Sequence, residues 1–319
     1  MRLSLLLTCL FAALTAPAAY AAPPEAKGGS ASTSTRAAAA TPRSGVVPIN
    51  GVDYYYELHG QGEPLLLLHG GLGSGAMFGP VLNALAQRNT VILVDLQGHG
   101  RTALGERPFS VAAMGDDMGA LVQRLGYGSA DVVGYSLGGG VALRMAVQRP
   151  ERVRKLVLVS SSCSNDAFYP AIGGQQKGIN ASAAPMFKGT PMHESYVAVA
   201  PKPDDFPRLL DAIGGFLSRP FDWSADVSKL QGPVMLVYGD SDLFRPESEI
   251  AFFQLLGGGK RDGGWQREGV SRNRLAILPG VTHYEIASSP LLAQTVGPFL
   301  EGAVEGGASA PRAAQSPSK

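Results

Sequence analysis

The stretch Val132-Val133-Gly134-Tyr135-Ser136-Leu137-Gly138-Gly139-Gly140 constrains this chain more than any other. It places Gly-x-Ser-x-Gly directly after an apolar run and directly before a helix-like segment, the context in which that string forms a nucleophile elbow. A strand that turns this tightly into a helix holds the central serine in a strained backbone conformation. Side chains at the two flanking positions would collide with neighbouring backbone, so both are glycine. The serine oxygen is pushed to the start of the helix, where free N–H groups point at whatever binds. Elsewhere the same string is an ordinary Gly/Ser turn; the strand before it and the helix after it make Ser136 a candidate nucleophile.

Around this turn, strand-like runs alternate with helix-like segments. Val52 to Leu58 and Pro64 to His69 read as strands about the Gly60-Gln61-Gly62 turn, and Phe78 to Arg88 as a helix with Val81, Leu82, Leu85 and Ala86 on one face. Thr90 to Asp95 is apolar along nearly its whole length, as a central parallel strand is. Val111 to Leu125 carries Met114, Met118, Leu121, Val122 and Leu125 at helical spacing, a core stripe rather than a cofactor box. Asp131 to Tyr135 feeds the turn, and Leu137 to Gln148 leaves it as a helix ended by Pro150. Leu156 to Ser160, Val234 to Tyr238 and Arg274 to Leu278 read as strands, with helices at Glu247 to Leu256 and Pro290 to Leu300. This alternation predicts an α/β domain with a mostly parallel sheet. Between two of these strands, residues 161–228 are too long for a simple connection and predict a small inserted cap, partly helical around Phe206 to Leu217.

The ends of the chain are expected to lie outside this domain. Arg2, the apolar run Leu5 to Leu14 and Ala19-Tyr20-Ala21 have the form of a secretory signal over residues 1–21, which implies a periplasmic or secreted protein with no stable membrane insertion after cleavage. Residues 22–44 predict a flexible leader, residues 45–301 the folded domain, and residues 302–319 a disordered tail. Loss of the signal removes only Arg2 from 27 Lys+Arg, set against 26 Asp+Glu, and the balanced charge offers no footprint for nucleic acid. Of two cysteines, Cys9 lies in the signal, so Cys163 has no internal disulfide partner. No segment has zinc-ligand spacing and the five histidines are scattered, so neither metal nor cofactor is expected. Nothing in the sequence sets the oligomeric state.

The chain resembles the α/β-hydrolase superfamily over about Val46 to Leu300. The resemblance rests on His69-Gly70-Gly71-Leu72-Gly73-Ser74, Asp95-Leu96-Gln97-Gly98-His99-Gly100-Arg101-Thr102, the turn at Ser136, Gly239-Asp240-Ser241-Asp242 and Pro279-Gly280-Val281-Thr282-His283, in that order. It implies the α/β-hydrolase fold, a mostly parallel central sheet flanked by helices with a small inserted cap. A serine needs a base within hydrogen-bond reach, and the family places its histidine after the last strand, which makes His283 the candidate. The base needs an acid to fix its tautomer. Similarity points to Asp242, with Asp240 and, less so, Asp166 as alternatives. The order Ser136, Asp242, His283 is that of the fold. The developing oxyanion needs N–H donors. One is the residue after the nucleophile, Leu137; the resemblance places the other at Gly71. His99 and Arg101 read as structural, His69 as a packing and hydrogen-bonding residue beneath the Gly71 loop, and His59 and His193 have no assigned role.

The cap segment holds Phe168, Tyr169, Met186, Phe187, Met192, Tyr196, Phe206 and Phe216, some of which are expected to line an apolar pocket and others to pack the cap. The expected activity is cleavage of a hydrophobic carboxylic ester through an acyl-enzyme, with a small-molecule substrate as the partner. Relatives with the same triad cleave carbon–carbon bonds or amides, or form peracids. Epoxide and haloalkane hydrolases use an aspartate where this chain has Ser136, and Leu72 replaces the proline of prolyl aminopeptidases. A non-catalytic ligand receptor on the same fold is the alternative of another class. The Gly-rich segment Gly257 to Ser271 has no sequence-based account.

Overall fold

Alternate residues along the central strands belong to two different cores, and this fixes a layered architecture. Leu65, Leu67, Val91, Leu93, Val133, Val157 and Val159 face one cluster; Leu66, Leu68, Ile92, Val94, Val132, Leu156 and Leu158 face the other. A strand that is apolar on both faces must be covered on both. The computed structural model describes residues 42–176 and 178–302, so the expected signal and nearly all of the expected leader and tail lie outside the described residues.

One eight-stranded sheet results: β1 (Arg43–Ile49), β2 (Val52–His59), β3 (Glu63–Leu68), β4 (Asn89–Val94), β5 (Ala130–Tyr135), β6 (Val153–Val159), β7 (Val234–Ser241) and β8 (Arg274–Thr282), in the order β1-β2-β4-β3-β5-β6-β7-β8. β1 and β2 are antiparallel; β4-β3-β5-β6-β7-β8 run parallel. Helices α1 (Gly79–Leu85), α2 (Val111–Arg124), α3 (Leu137–Gln148), α4 (Pro170–Gln176), α5 (Ala184–Phe187), α6 (Pro191–Val197), α7 (Phe206–Leu217), α8 (Pro246–Leu255) and α9 (Pro290–Leu300) complete the described chain. α2, α3 and α8 bury side chains such as Met114, Met118, Val141, Met145 and Phe252 on one face of the sheet. α1 and α9 bury Val81, Leu85, Leu292, Val296 and Phe299 on the other. Each such side chain contributes about 1.5–3 kcal/mol of burial.

Three elements differ from the sequence reading. β1 begins at Arg43, inside the segment expected as leader. It is an edge strand with only Ile49 buried, so its composition reads as a loop; the signal for it was Asn50-Gly51, whose φ values of 49° and 82° make the tight turn onto β2. The helix expected from Phe78 is a 3-10 turn, Gly75–Phe78, followed by the shorter α1, because Gly79 (φ 43°) breaks the turn and proline restarts the helix. β8 runs past Leu278 to Thr282, and Ser241 pairs with Thr282 after a register shift on β7. That pairing sets Asp242 and His283 one residue beyond two adjacent strand positions.

Between β6 and β7 the chain leaves the sheet and forms α4 to α7. α7 occupies the stretch read as helical, whereas the three shorter helices carry no period long enough to read from sequence. Phe187, Tyr196, Phe206, Leu209, Leu210 and Ile213 form a separate small core, and Leu72 of the loop after β3 is part of it. The cap is therefore seated on the Gly71 loop.

Candidate active site

Three side chains arrive from the C-terminal ends of β5, β7 and β8. Ser136 sits between β5 and α3 with φ 53° and ψ −116°, and its N–H donates to Val159 O at 2.9 Å. A Cβ at Gly138 would lie 2.4 Å from Leu68 O and 2.5 Å from His69 O; one at Gly134 would lie 2.3 Å from Gly138 O. The glycines are thus required by close backbone approach, as the motif predicts. Ser136 Oγ lies 3.1 Å from His283 Nε2, and His283 Nδ1 lies 2.9 Å from Asp242 Oδ1. Nδ1 faces a carboxylate and so carries the proton, which leaves Nε2 to accept from the serine hydroxyl.

The Asp242 side chain is fully buried and all its contacts are donors: His283 Nδ1 and Leu243 N to Oδ1, Ser160 Oγ and Gly239 N to Oδ2. Burial pushes its carboxyl up, but the hydrogen bonds from His283, Ser160 and Leu243 outweigh burial and hold it below the usual carboxylate range. Asp240 is exposed and turned to the Gly280 N–H at 2.8 Å, so it does not reach His283; Asp166 lies in a surface 3-10 turn. Of the three acids considered, the structure brings only Asp242 to the histidine.

Gly71 and Leu137 are brought to the same place. A Cβ at Gly71 would lie 3.8 Å from Leu137 Cβ, and both residues line one cavity with Ser136 and His283. The Gly138 N–H is taken by His69 O, and the Gly139 and Gly140 N–H groups by Ser136 O. Among the described residues no acceptor takes the Leu137 or Gly71 N–H. Leu137 opens α3, where an N–H has no intrahelical partner.

The remaining histidines support rather than react. His69 Nε2 accepts from Leu96 N at 3.0 Å and Nδ1 donates to Gly70 O at 2.7 Å; burial lowers its pKa to about 4, so it is neutral under the Gly71 loop. His99 bonds Gln97 O at 2.9 Å and is lowered to about 3 by burial and by His69. Arg101 lies 4.8 Å from the Tyr55 ring, His59 pairs with Glu57, and His193 packs its ring edge-on to Phe206.

Sequence reasoning missed Ser160 and Tyr135. Ser160 is fully buried at the end of β6 with φ 45°, and its hydroxyl donates to Asp242. Tyr135 OH donates to His283 O at 2.7 Å and steadies the histidine loop. Five non-glycine described residues have positive φ, and three of them, Leu72, Ser136 and Ser160, surround this site, where strain is commonly stored. Glu249 of α8 is 3% exposed, and its carboxyl is pushed up to about 8 by burial first and then by Asp242 and Glu247.

The cavity at Ser136 measures about 170 Å³. Of the cap side chains proposed from sequence, Phe168 and Phe216 line it, joined by Phe221, Trp223 and Phe244. Phe187, Tyr196 and Phe206 pack the cap core with Met192 against them, and Tyr169 and Met186 are exposed. The aromatic lining stacks in two groups, Phe168 on Phe244 at 4.7 Å and Phe216-Phe221-Trp223 at 5.4 and 4.5 Å.

A family model described as alpha/beta hydrolase fold matches residues 63–181. The chain has the α/β-hydrolase fold. The chain is 37% identical over 150 residues to a protein of Azorhizobium caulinodans named carbamate hydrolase RutD, a match covering 47% of the chain and 53% of the relative. A protein of the same name from Caulobacter vibrioides is 41% identical over 111 residues, 33% of this chain and 41% of its own. The chain thus spans about half the length of the curated relatives it matches. Carboxylesterase CesB from Bacillus subtilis superposes with TM-score 0.63 at 19% identity, over 83% of this chain and 93% of that one. A thermophilic esterase from Thermogutta terrifontis does so with TM-score 0.62 at 20% identity, over 82% and 99%. Both share the fold.

Proposed function

We propose that this hydrolase is a serine esterase that cleaves an uncharged hydrophobic carboxylic ester through an acyl-enzyme. The observation that carries the reading is the unbroken relay Ser136 Oγ, His283 and Asp242 at the wall of an aromatic cavity. His283 Nε2 takes the Ser136 proton as the oxygen attacks the ester carbonyl, and Asp242 stabilises the imidazolium that forms. The Leu137 and Gly71 N–H groups receive the oxyanion. The imidazolium returns the proton to the departing alcohol; a water activated by the same imidazole then hydrolyses the acyl-enzyme.

An apolar cavity of about 150 Å³ accommodates one benzene ring, so about 170 Å³ suits one aromatic ring or a short acyl chain. Turnover of p-nitrophenyl esters is expected to fall once the acyl chain exceeds roughly six to eight carbons. The name of the Azorhizobium relative favours a second substrate, a carbamate, whose carbonyl the same serine could attack. We place the protein in the periplasm or outside the cell, on the form of residues 1–21; cell fractionation tests this.

The deciding experiment is labelling with a fluorophosphonate probe. Stoichiometric reaction at Ser136, lost in Ser136→Ala, together with ester turnover, is expected. No labelling and no turnover would favour a ligand receptor on this fold instead.

A further inference from the structure

Ser161 is 4% exposed, lines the cavity at Ser136, and its hydroxyl has no hydrogen-bond partner among the described residues. Its backbone carbonyl is held by Tyr238 OH at 2.8 Å, so the residue is fixed in place. A Cβ at Gly139 would lie 2.4 Å from Ser161 Cβ and 2.6 Å from its Oγ; glycine at that position is what seats the serine beside the first turn of α3. The residue is buried but its hydroxyl opens on the cavity, so a ligand that fills the cavity takes the hydroxyl out of water, and a hydroxyl desolvated without a partner is costly.

The surroundings narrow what could pair with it. Among the described residues the cavity wall holds no Lys, Arg, Asp or Glu. Its other polar side chains are Ser162, Ser164 and Gln176, besides Ser136 and His283. Ser162 and Ser164 accept backbone N–H groups of their own turn, at 3.4 and 3.1 Å, while the Gln176 amide, like the Ser161 hydroxyl, has no partner among the described residues. Uncompensated charge is excluded from an uncharged aromatic pocket, whereas a neutral oxygen gains a donor there.

We infer that Ser161 is a specificity-determining residue, and that the substrate is an ester whose apolar body carries a neutral oxygen (hydroxyl, ether or ketone) that pairs with Ser161 Oγ. The inference rests on the esterase reading. A substrate lacking that oxygen buries the hydroxyl without a partner, and such mismatches are discriminated more sharply than a change of one methylene.

The test uses two pairs of esters of equal chain length: p-nitrophenyl hexanoate against p-nitrophenyl 4-oxohexanoate, and hexyl acetate against 2-propoxyethyl acetate, so that oxygen is offered on either side of the scissile bond. The wild type is expected to favour the oxygenated ester in at least one pair by about tenfold in kcat/KM, and Ser161→Ala to bring that ratio to near one by losing rate on the oxygenated ester. Fluorophosphonate labelling of Ser136 in Ser161→Ala checks that the site is intact. Equal rates within both pairs for the wild type, or a preference that survives in Ser161→Ala, overturns the inference while leaving the esterase reading standing. Absence of turnover on all four esters, with no labelling, brings down the esterase reading itself.

Discussion

Replacing Ser160 separates the chemistry of the site from its folding. Ser160→Ala removes the hydroxyl that donates to Asp242 Oδ2 and leaves that oxygen with Gly239 N at 3.3 Å. A hydrogen bond to a charged group contributes about 1.5–3 kcal/mol. If half of that reaches the transition state through the orientation of Asp242, kcat falls by roughly three- to tenfold, since each 1.36 kcal/mol is a factor of ten. KM stays within about threefold, because Ser160 is not among the residues lining the cavity. Ser160→Gly loses the same hydroxyl but relieves the φ of 45°, a strain of about 1 kcal/mol for a residue with a side chain. The glycine variant is therefore expected to melt roughly 2–4 °C above the alanine variant while being equally impaired in kcat. In an Asp242→Asn background the effect of Ser160→Ala on kcat should vanish, since the two act as one unit. Steady-state kinetics and thermal denaturation on the four variants suffice. Wild-type activity in Ser160→Gly, or an undiminished effect of Ser160→Ala in the Asp242→Asn background, would refute the reasoning.

Further outcomes follow from the same geometry. Asp242→Asn is expected to lower kcat by about 10³-fold or more because the imidazole loses its tautomer, and Asp240→Asn to stay within about threefold; equal losses would return the acid role to an open question. Gly138→Ala forces a Cβ onto the Leu68 and His69 carbonyls, at a cost of about 3 kcal/mol, which lowers Tm by roughly 6–12 °C. Gly140→Ala meets only Val111 and Trp223 side chains at 3.5–3.8 Å and, inside a helix, should stabilise the protein by about 0.5–1 kcal/mol. Glu249, with its folded pKa raised to about 8 from an ordinary 4.5, gives full stability below pH 4.5 that is lost as pH rises through about 8. Glu249→Gln should flatten the pH dependence of denaturant unfolding across that window by about 5 kcal/mol.

The parts of the fold written in short-range pattern were legible, and those that depend on distant pairing were not. Gly134, Ser136 and Gly138 carry their geometry in five consecutive residues, and the apolar runs of β3 to β7 announce buried strands. Asp242 was separated from Asp240 only by resemblance, because their distinction lies in how β8 registers on β7. Ser160 reaches Asp242 across 82 residues of chain, and no local spacing marks a hydroxyl that matters through another side chain. In the cap, Phe206 and Phe168 look alike in sequence; one packs the small core and the other faces the cavity, a difference set by how short helices fold over the Gly71 loop.

The pairing of β8 along β7 has a mechanical consequence for the Gly-rich segment that precedes it. That segment, with Trp265 fully in solvent, joins β8 at the end remote from His283. A change in its length meets the sheet where Arg274 pairs with Met235, while the imidazole follows Thr282 at the far end of the same ladder. The segment and the histidine thus hang from opposite ends of one paired strand.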